Sequence, residues 1–384
     1  MKLIPIILFY LLIMNTSQFE GTEITIPKDK NFICSHGDKL VVGENNKEIF
    51  LRGFCYSGFS YFSPGVPNKV EESVYSDLVQ MNMNTVRLSL SYNLFYESNA
   101  PWEYKPSIWE WINSHVLLAK KYNVYLILQL TQVEGAQFTP IPNMPFDYRI
   151  WEKENIQDNF ISLWVEIAKR YNQEDHIAGY SIFCEPVCSE TIEQWMGLAN
   201  KTIEKIREVD KNHIIFVERA YGEYETRREL TDMEIPAMDA YFKIDDNNVV
   251  YEFYFFETDD YTHQYASWRP ELQKSTMYPD SNTIITYHEK NGRKKEFRFD
   301  KEYLEFYLKK QIAFGKSEKV PMSVWGFGLT KNCYQDQNGG LLWMNDVIEL
   351  FNRYHLNWTI FYNSPSFGIS DNVEVKRLIQ ENLK

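Results

Sequence analysis

A carboxylate at the end of a buried strand can move protons, and Glu185 stands in that setting. It closes the run Gly179-Tyr180-Ser181-Ile182-Phe183-Cys184 and is followed at once by Pro186. Tyr180, Ile182 and Cys184 alternate with Ser181 and Phe183, which is the period of a strand. Pro186 has no amide hydrogen to give to a ladder, so pairing is expected to stop beside Glu185. Parallel α/β sheets place their chemistry at this carboxyl edge, where a carboxyl can act as general acid or base. The plainer reading is an acidic residue solvated at a strand end.

Other charged residues have spacings that bear on the same site. Arg87, inside the apolar run Val86-Arg87-Leu88, would be an inward charge and costly without a partner. Glu252 shares strand parity with Tyr254 and is one candidate counter-ion; Glu218, ending Phe216-Val217-Glu218, is another. For Glu218 the expectation is solvation or a local pair with Arg219. The five cysteines (34, 55, 184, 188 and 333) are odd in number, so one thiol stays free unless it pairs between chains. Cys184 and Cys188 are close enough to bond, but no histidine near them has a metal-ligand spacing, and no metal is expected. No Gly-rich dinucleotide fingerprint follows any strand, so no cofactor is expected either.

These groups need a scaffold, and the apolar pattern supplies one. Strand-like runs fall at about 49–56, 85–91, 124–131, 178–184, 213–218, 249–256, 321–326 and 357–362. Helical stripes lie between them: Ile108, Ile112, Val116 and Ala119; Ile192, Trp195, Met196, Ala199, Ile203 and Ile206; Met344, Val347, Ile348 and Phe351. Eight strand–helix alternations with right-handed crossovers predict an α/β fold, a closed (β/α)8 TIM barrel. A β lead-in over 32–48 precedes it, and Asn291-Gly292 marks a hairpin inserted near 283–300. No repeat or long linker divides residues 22–384, so one domain is expected.

Bulk properties narrow the partners. The 384 residues carry a net charge of -13 with 16% aromatic content, which argues against binding a phosphate backbone; no nucleic-acid partner is expected. Lys2 and the apolar run Leu3 to Met14 make residues 1–21 read as a secretory signal peptide. Secretion, with no stable membrane anchor after cleavage, follows from that reading. Of two sequons, Asn200-Lys-Thr202 lies on a predicted helix surface and could carry an N-glycan, whereas Asn357-Trp-Thr359 opens a strand.

Taken together, the motifs resemble the cellulase-like glycoside hydrolases of family 5. Leu51-Arg52-Gly53-Phe54 resembles the family's first strand, Val86-Arg87-Leu88 its second, and Glu185-Pro186 its acid/base strand. Tyr261-Thr262-His263-Gln264 with Trp268 resembles a loop after strand six, and Val324, Phe327 and Gly328 match the frame of strand seven. The resemblance implies two glutamates, which in retaining enzymes sit roughly 5–5.5 Å apart. It also implies a polysaccharide substrate. The position matching the nucleophile is Gly326, which has no side chain. Cys184 stands where the family has asparagine, Tyr254 and Thr131 where it has histidines, Phe256 where it has tyrosine and Phe361 where it has tryptophan.

Arg87, Cys184, Tyr254, His263, Trp268, Trp325 and Phe361 are the substrate-binding positions that the resemblance implies. Other aromatics at loop ends, Tyr56, Tyr61 and Tyr92, are candidate stacking platforms. With Gly326 unable to attack, the expectation is a pseudoenzyme that keeps glycan binding or a structural role. In it an ionised Glu185 beside Arg87 acts as counter-ion or as an acceptor for a sugar hydroxyl. The competing expectations are an active hydrolase that pairs Glu185 with a non-standard second group, and a protein-interaction scaffold with a filled cleft.

Overall fold

The computed structural model describes residues 31–43, 45–60, 63–96, 103–136, 147–221, 240–288, 292–335 and 337–384. The signal-like segment Met1 to Gly21, Tyr61 and Asn291 fall outside the described residues.

Eight parallel strands close into a barrel. They are β1 (Arg52–Ser57), β2 (Thr85–Ser91), β3 (Tyr125–Gln132), β4 (Ile177–Ser181), β5 (Ile214–Glu218), β6 (Val249–Phe255), β7 (Met322–Phe327) and β8 (Asn357–Phe361). Each pairs with the next, and β8 returns to β1 through Trp358 opposite Arg52. Helices α1 (Glu72–Gln80), α2 (Pro106–Tyr122), α3 (Glu154–Tyr171), α4 (Ile192–Arg207), α5 (Lys301–Gln311), α6 (Gly340–Arg353) and α7 (Val373–Asn382) surround it. Pro106 starts α2, where a missing amide hydrogen costs nothing, and Asn123 ends it in the left-handed conformation. Asp300 caps α5 by accepting from the amides of Glu302 and Tyr303.

Two separate cores follow from strand alternation. Leu126, Leu128 and Leu130 of β3 face outward to the helices, whereas Ile127 faces the barrel axis. Around the axis Ile127, Ala178, Ile214, Phe216 and Val250 form an apolar floor. Ile33 and Leu40 of the three-stranded lead-in (Ile33–His36, Lys39–Val42 and Lys47–Glu48) pack under it and close the amino-terminal mouth. Ser35 fastens this plug by donating its amide to Asn248 Oδ1 at 2.9 Å.

At the opposite mouth, tryptophans of the outer layer fix the strand ends. Where a ladder stops, its carbonyls need new donors. Trp164 gives its indole N–H to Ile182 O, Trp151 to Val187 O, Trp195 to Glu218 O and Trp343 to Glu257 O, all at 2.8–2.9 Å. A buried indole is both a large apolar body and a single donor, so each anchors a helix and a site loop together. The two strands Asp280–His288 and Lys294–Phe299 form an antiparallel hairpin outside the barrel, packed on α5.

Candidate active site

Glu185 lies just beyond β4, with its backbone at φ +50° in the left-handed region. The strand stops at Ser181, three residues before the predicted end at Cys184. The Ile182 amide turns to Phe216 O of β5 and the Cys184 amide to Leu130 O of β3. Those two bonds splay the chain between both neighbours and deliver Glu185 to the axis. A non-glycine residue at positive φ costs stability, and such residues concentrate at functional sites.

What holds Glu185 is Glu218. Its carboxylate accepts the Glu185 amide hydrogen at 2.6 Å on Oε2; Oε1 accepts from the Tyr221 hydroxyl and from the Trp325 indole N–H, each at 2.6 Å. Glu218 is 1% exposed. This corrects the expectation of a solvated residue paired with Arg219, whose guanidinium instead donates to Gln311 at 2.8 Å. Burial first, and then the Glu185 carboxylate, push the Glu218 pKa up to about 8, against the opposing pull of the Glu185 amide and the Tyr221 hydroxyl.

A pH dependence follows. The carboxyl binds its proton more tightly folded than unfolded, so its contribution to stability is fully present below the ordinary carboxylate pKa. That contribution is lost as pH rises through about 8. We expect the denaturation midpoint of the protein to fall between pH 5 and 8 relative to that of Glu218→Gln. Parallel profiles for the two proteins would refute the shift.

Arg87 is not the counter-ion of Glu185. Its guanidinium lies bidentate on Glu252, and its Nε donates to Thr359 Oγ1 at 3.2 Å. Ser181 Oγ adds a third donor to Glu252 at 2.8 Å. Glu252 lies inside the barrel, as period-two alternation with Tyr254 requires, and the pair is buried there. Arginine and glutamate thus neutralise each other below the mouth, out of reach of anything bound above.

Several proposed sugar contacts are also enclosed. Cys184 and Trp325 (5% exposed) form a small apolar cluster with Cys55, against which Tyr254 and Phe361 pack. Burial, then the charges of Glu218 and Glu185, raise the Cys184 thiol well above its usual pKa, so it stays a neutral thiol. Trp325 fills the mouth instead of lining it, and Tyr56 belongs to the outer core with its hydroxyl on Lys69 O. Gly326 stands opposite Tyr254, after an irregularity in the β6–β7 register. A Cβ built there would meet Phe361 ring atoms at 3.2 and 3.3 Å. The edge of the Phe361 ring borders the space that a side chain at 326 would need and would have to give by a few tenths of an ångström to admit one.

Around the rim, half-buried aromatics remain: Tyr254, Phe256, Phe361, His263 and Trp268. Phe256 and Phe361 ring centres are 6.1 Å apart, Phe256 and His263 5.1 Å. Phe367 joins the set at 5.0 Å from His263 and 5.8 Å from Trp268. Sequence reasoning missed Phe367 and Tyr221. Tyr221 lies parallel to Tyr254 at 5.1 Å and locks Glu218; its neighbourhood to Glu218, three residues back, was the available signal. All five cysteines are free and buried, so Cys184 and Cys188 are not joined. Among the described residues no group of three or more His, Cys, Asp or Glu is placed to hold a metal.

A sequence model of the family described as Cellulase (glycosyl hydrolase family 5) matches residues 42–366. The chain belongs to this family. Endoglucanase C of Acetivibrio thermocellus is 26% identical over 312 residues, covering 78% of this chain and 86% of that protein. Cellodextrinase A of Ruminococcus flavefaciens is 26% identical over 246 residues, 63% of this chain and 68% of that one. Among solved structures, endoglucanase Cel5A of Thermotoga maritima superposes with TM-score 0.67 at 16% identity, covering 87% of this chain and 96% of the other. A structure described as a glycoside hydrolase gives TM-score 0.69 at 19% identity, with coverage of 87% and 99%. The family 5 barrel is therefore the scaffold of this chain.

Proposed function

We propose that this family 5 protein has lost retaining hydrolysis and serves as a binder of β-linked polysaccharide. The observation that carries the reading is Gly326. Retaining chemistry needs a second carboxyl there to form a bond with the anomeric carbon; Gly326 has none, and the Phe361 ring edge crowds the position. Glu218, the nearest other carboxyl, is held by three donors and buried, so it is no free nucleophile. The aromatic rim supports the binding half, since sugar rings stack on such faces. A chain led by Met1 to Gly21 fits export, with an N-glycan on Asn200. That side chain sits half-buried on α4, where its Nδ2 donates to Met196 O at 2.9 Å.

The test is incubation with soluble β-1,4-glucans and mannans, reading both turnover and heat of binding. Binding without reducing-end release is the expected result, and Trp268→Ala should weaken it by about 5–10-fold, the worth of one stacking contact. Turnover abolished by Glu185→Gln would overturn the inactive reading. Neither binding nor turnover on any glycan would overturn the binding half and leave a scaffold with a filled cleft.

A further inference from the structure

Below the mouth lies a polar layer that neither hydrolysis nor rim binding uses. In barrels of this class the axis is filled by bulky branched side chains. Here the level above the apolar floor is made of Cys55, Ser89, Gln129, Ser181, Ser323 and Thr359 around the Arg87–Glu252 pair, all buried. Most of these side chains are short. Gln129 stands at the centre of one wall, opposite Ser89 of β2 on one side and Ser181 of β4 on the other. Strand alternation points it and Thr131 at the axis, because Leu128 and Leu130 face the helices.

Gln129 is fully buried, yet neither its Nε2 nor its Oε1 has a hydrogen-bond partner among the described residues; Thr131 Oγ1 is in the same position. A dry donor and acceptor on one buried amide would each carry a full desolvation penalty. We infer that the barrel encloses a built site for small neutral hydrogen-bonding molecules, occupied by water, between Gln129 and Thr131. Gln129 and Thr131 lie two apart on β3, about 6.6 Å along the strand, and share its inner face, so one small molecule can contact both side chains. Such a molecule accepts from Gln129 Nε2 or donates to Oε1, and shares Thr131 Oγ1, within the two to four contacts that buried waters make.

The occupant is neutral because the layer has no charge to spare. Both Glu252 oxygens are taken by Arg87 and Ser181, and the Arg87 charge is paired with Glu252 while its Nε donates to Thr359. A cation or an anion would find its counter-charge already paired. Neither Gln129 nor Thr131 belongs to the aromatic rim, so the site does not depend on whether a glycan binds there.

A crystal structure of the protein at about 1.5 Å tests the assignment. Ordered water within hydrogen-bond distance of both Gln129 amide atoms, one molecule also touching Thr131 Oγ1, is expected. Direct bonding of the amide to Ser89, Ser181 or Thr131 with no water density would overturn it. Thermal unfolding gives a second readout that a merely packed side chain would not mimic. Gln129→Met and Thr131→Val should each lower Tm by about 1–3 °C, and the double variant by less than the sum, since both lose the same bridge. A higher Tm for Gln129→Met would mean the amide was a dry orphan, and strictly additive losses would mean no shared molecule; either result sinks the inference.

Discussion

Glu252→Ala is expected to destabilise the protein by about 3–5 kcal/mol, the cost of leaving one partner of a buried ion pair uncompensated. Arg87 sits wholly inside the barrel, with two of its nitrogens on Glu252 and the third on Thr359. Truncating the carboxylate strands that guanidinium and removes the acceptor of Ser181. Two comparisons separate the pair from simple cavity formation. Glu252→Gln keeps the volume and loses the charge, and should still cost about 2 kcal/mol or more. The double variant Arg87→Met/Glu252→Leu removes both charges while keeping apolar bulk, and should come close to the parent. Urea denaturation reads all three; a Glu252→Ala protein as stable as the parent would show that Arg87 finds another partner.

The same pair shows how far the sequence could be read. An arginine inside the apolar run Val86-Arg87-Leu88 demanded a counter-charge, and parity with Tyr254 put Glu252 on the inner wall. Both steps use only period-two alternation and the cost of burying charge. The barrel was legible for the same reason: strand and helix periods repeat through the chain. Glu218 shows where such reading stops. Its identity as a locked carboxyl depends on Tyr221, Trp325 and the Glu185 amide, three groups brought together by closure of the barrel. The resemblance put Trp325 among the substrate-binding positions but could not say that its indole ends on β5 and plugs the mouth. The left-handed turn at Glu185 was equally hidden, because it follows from two amides reaching different neighbouring strands.

Restoring a carboxylate at position 326 is expected to fail. Gly326→Glu puts a Cβ 3.2–3.3 Å from the Phe361 ring, and filling an already packed wall costs about 1–3 kcal/mol. The new carboxyl would also enter a site holding two others, Glu185 and the buried Glu218, with Arg87 already committed to Glu252. Glu218 already holds its proton below about pH 8, so the new carboxyl and Glu185 are left facing each other, and one of them must take up a proton as well or the site must open, which adds further cost. We expect a protein destabilised by about 3 kcal/mol or more that shows no turnover of an activated aryl cellobioside. Pairing the change with Phe361→Ala removes the steric part only, so stability should recover in part while turnover stays absent. Small anions offer the sharper measurement. Azide or formate can replace a missing nucleophile only where the space is open, so added to the unmodified protein they should release no aryl leaving group. Release that rises with azide concentration, yielding a glycosyl azide, would show that Phe361 and Trp325 swing clear and that only the nucleophile has been lost.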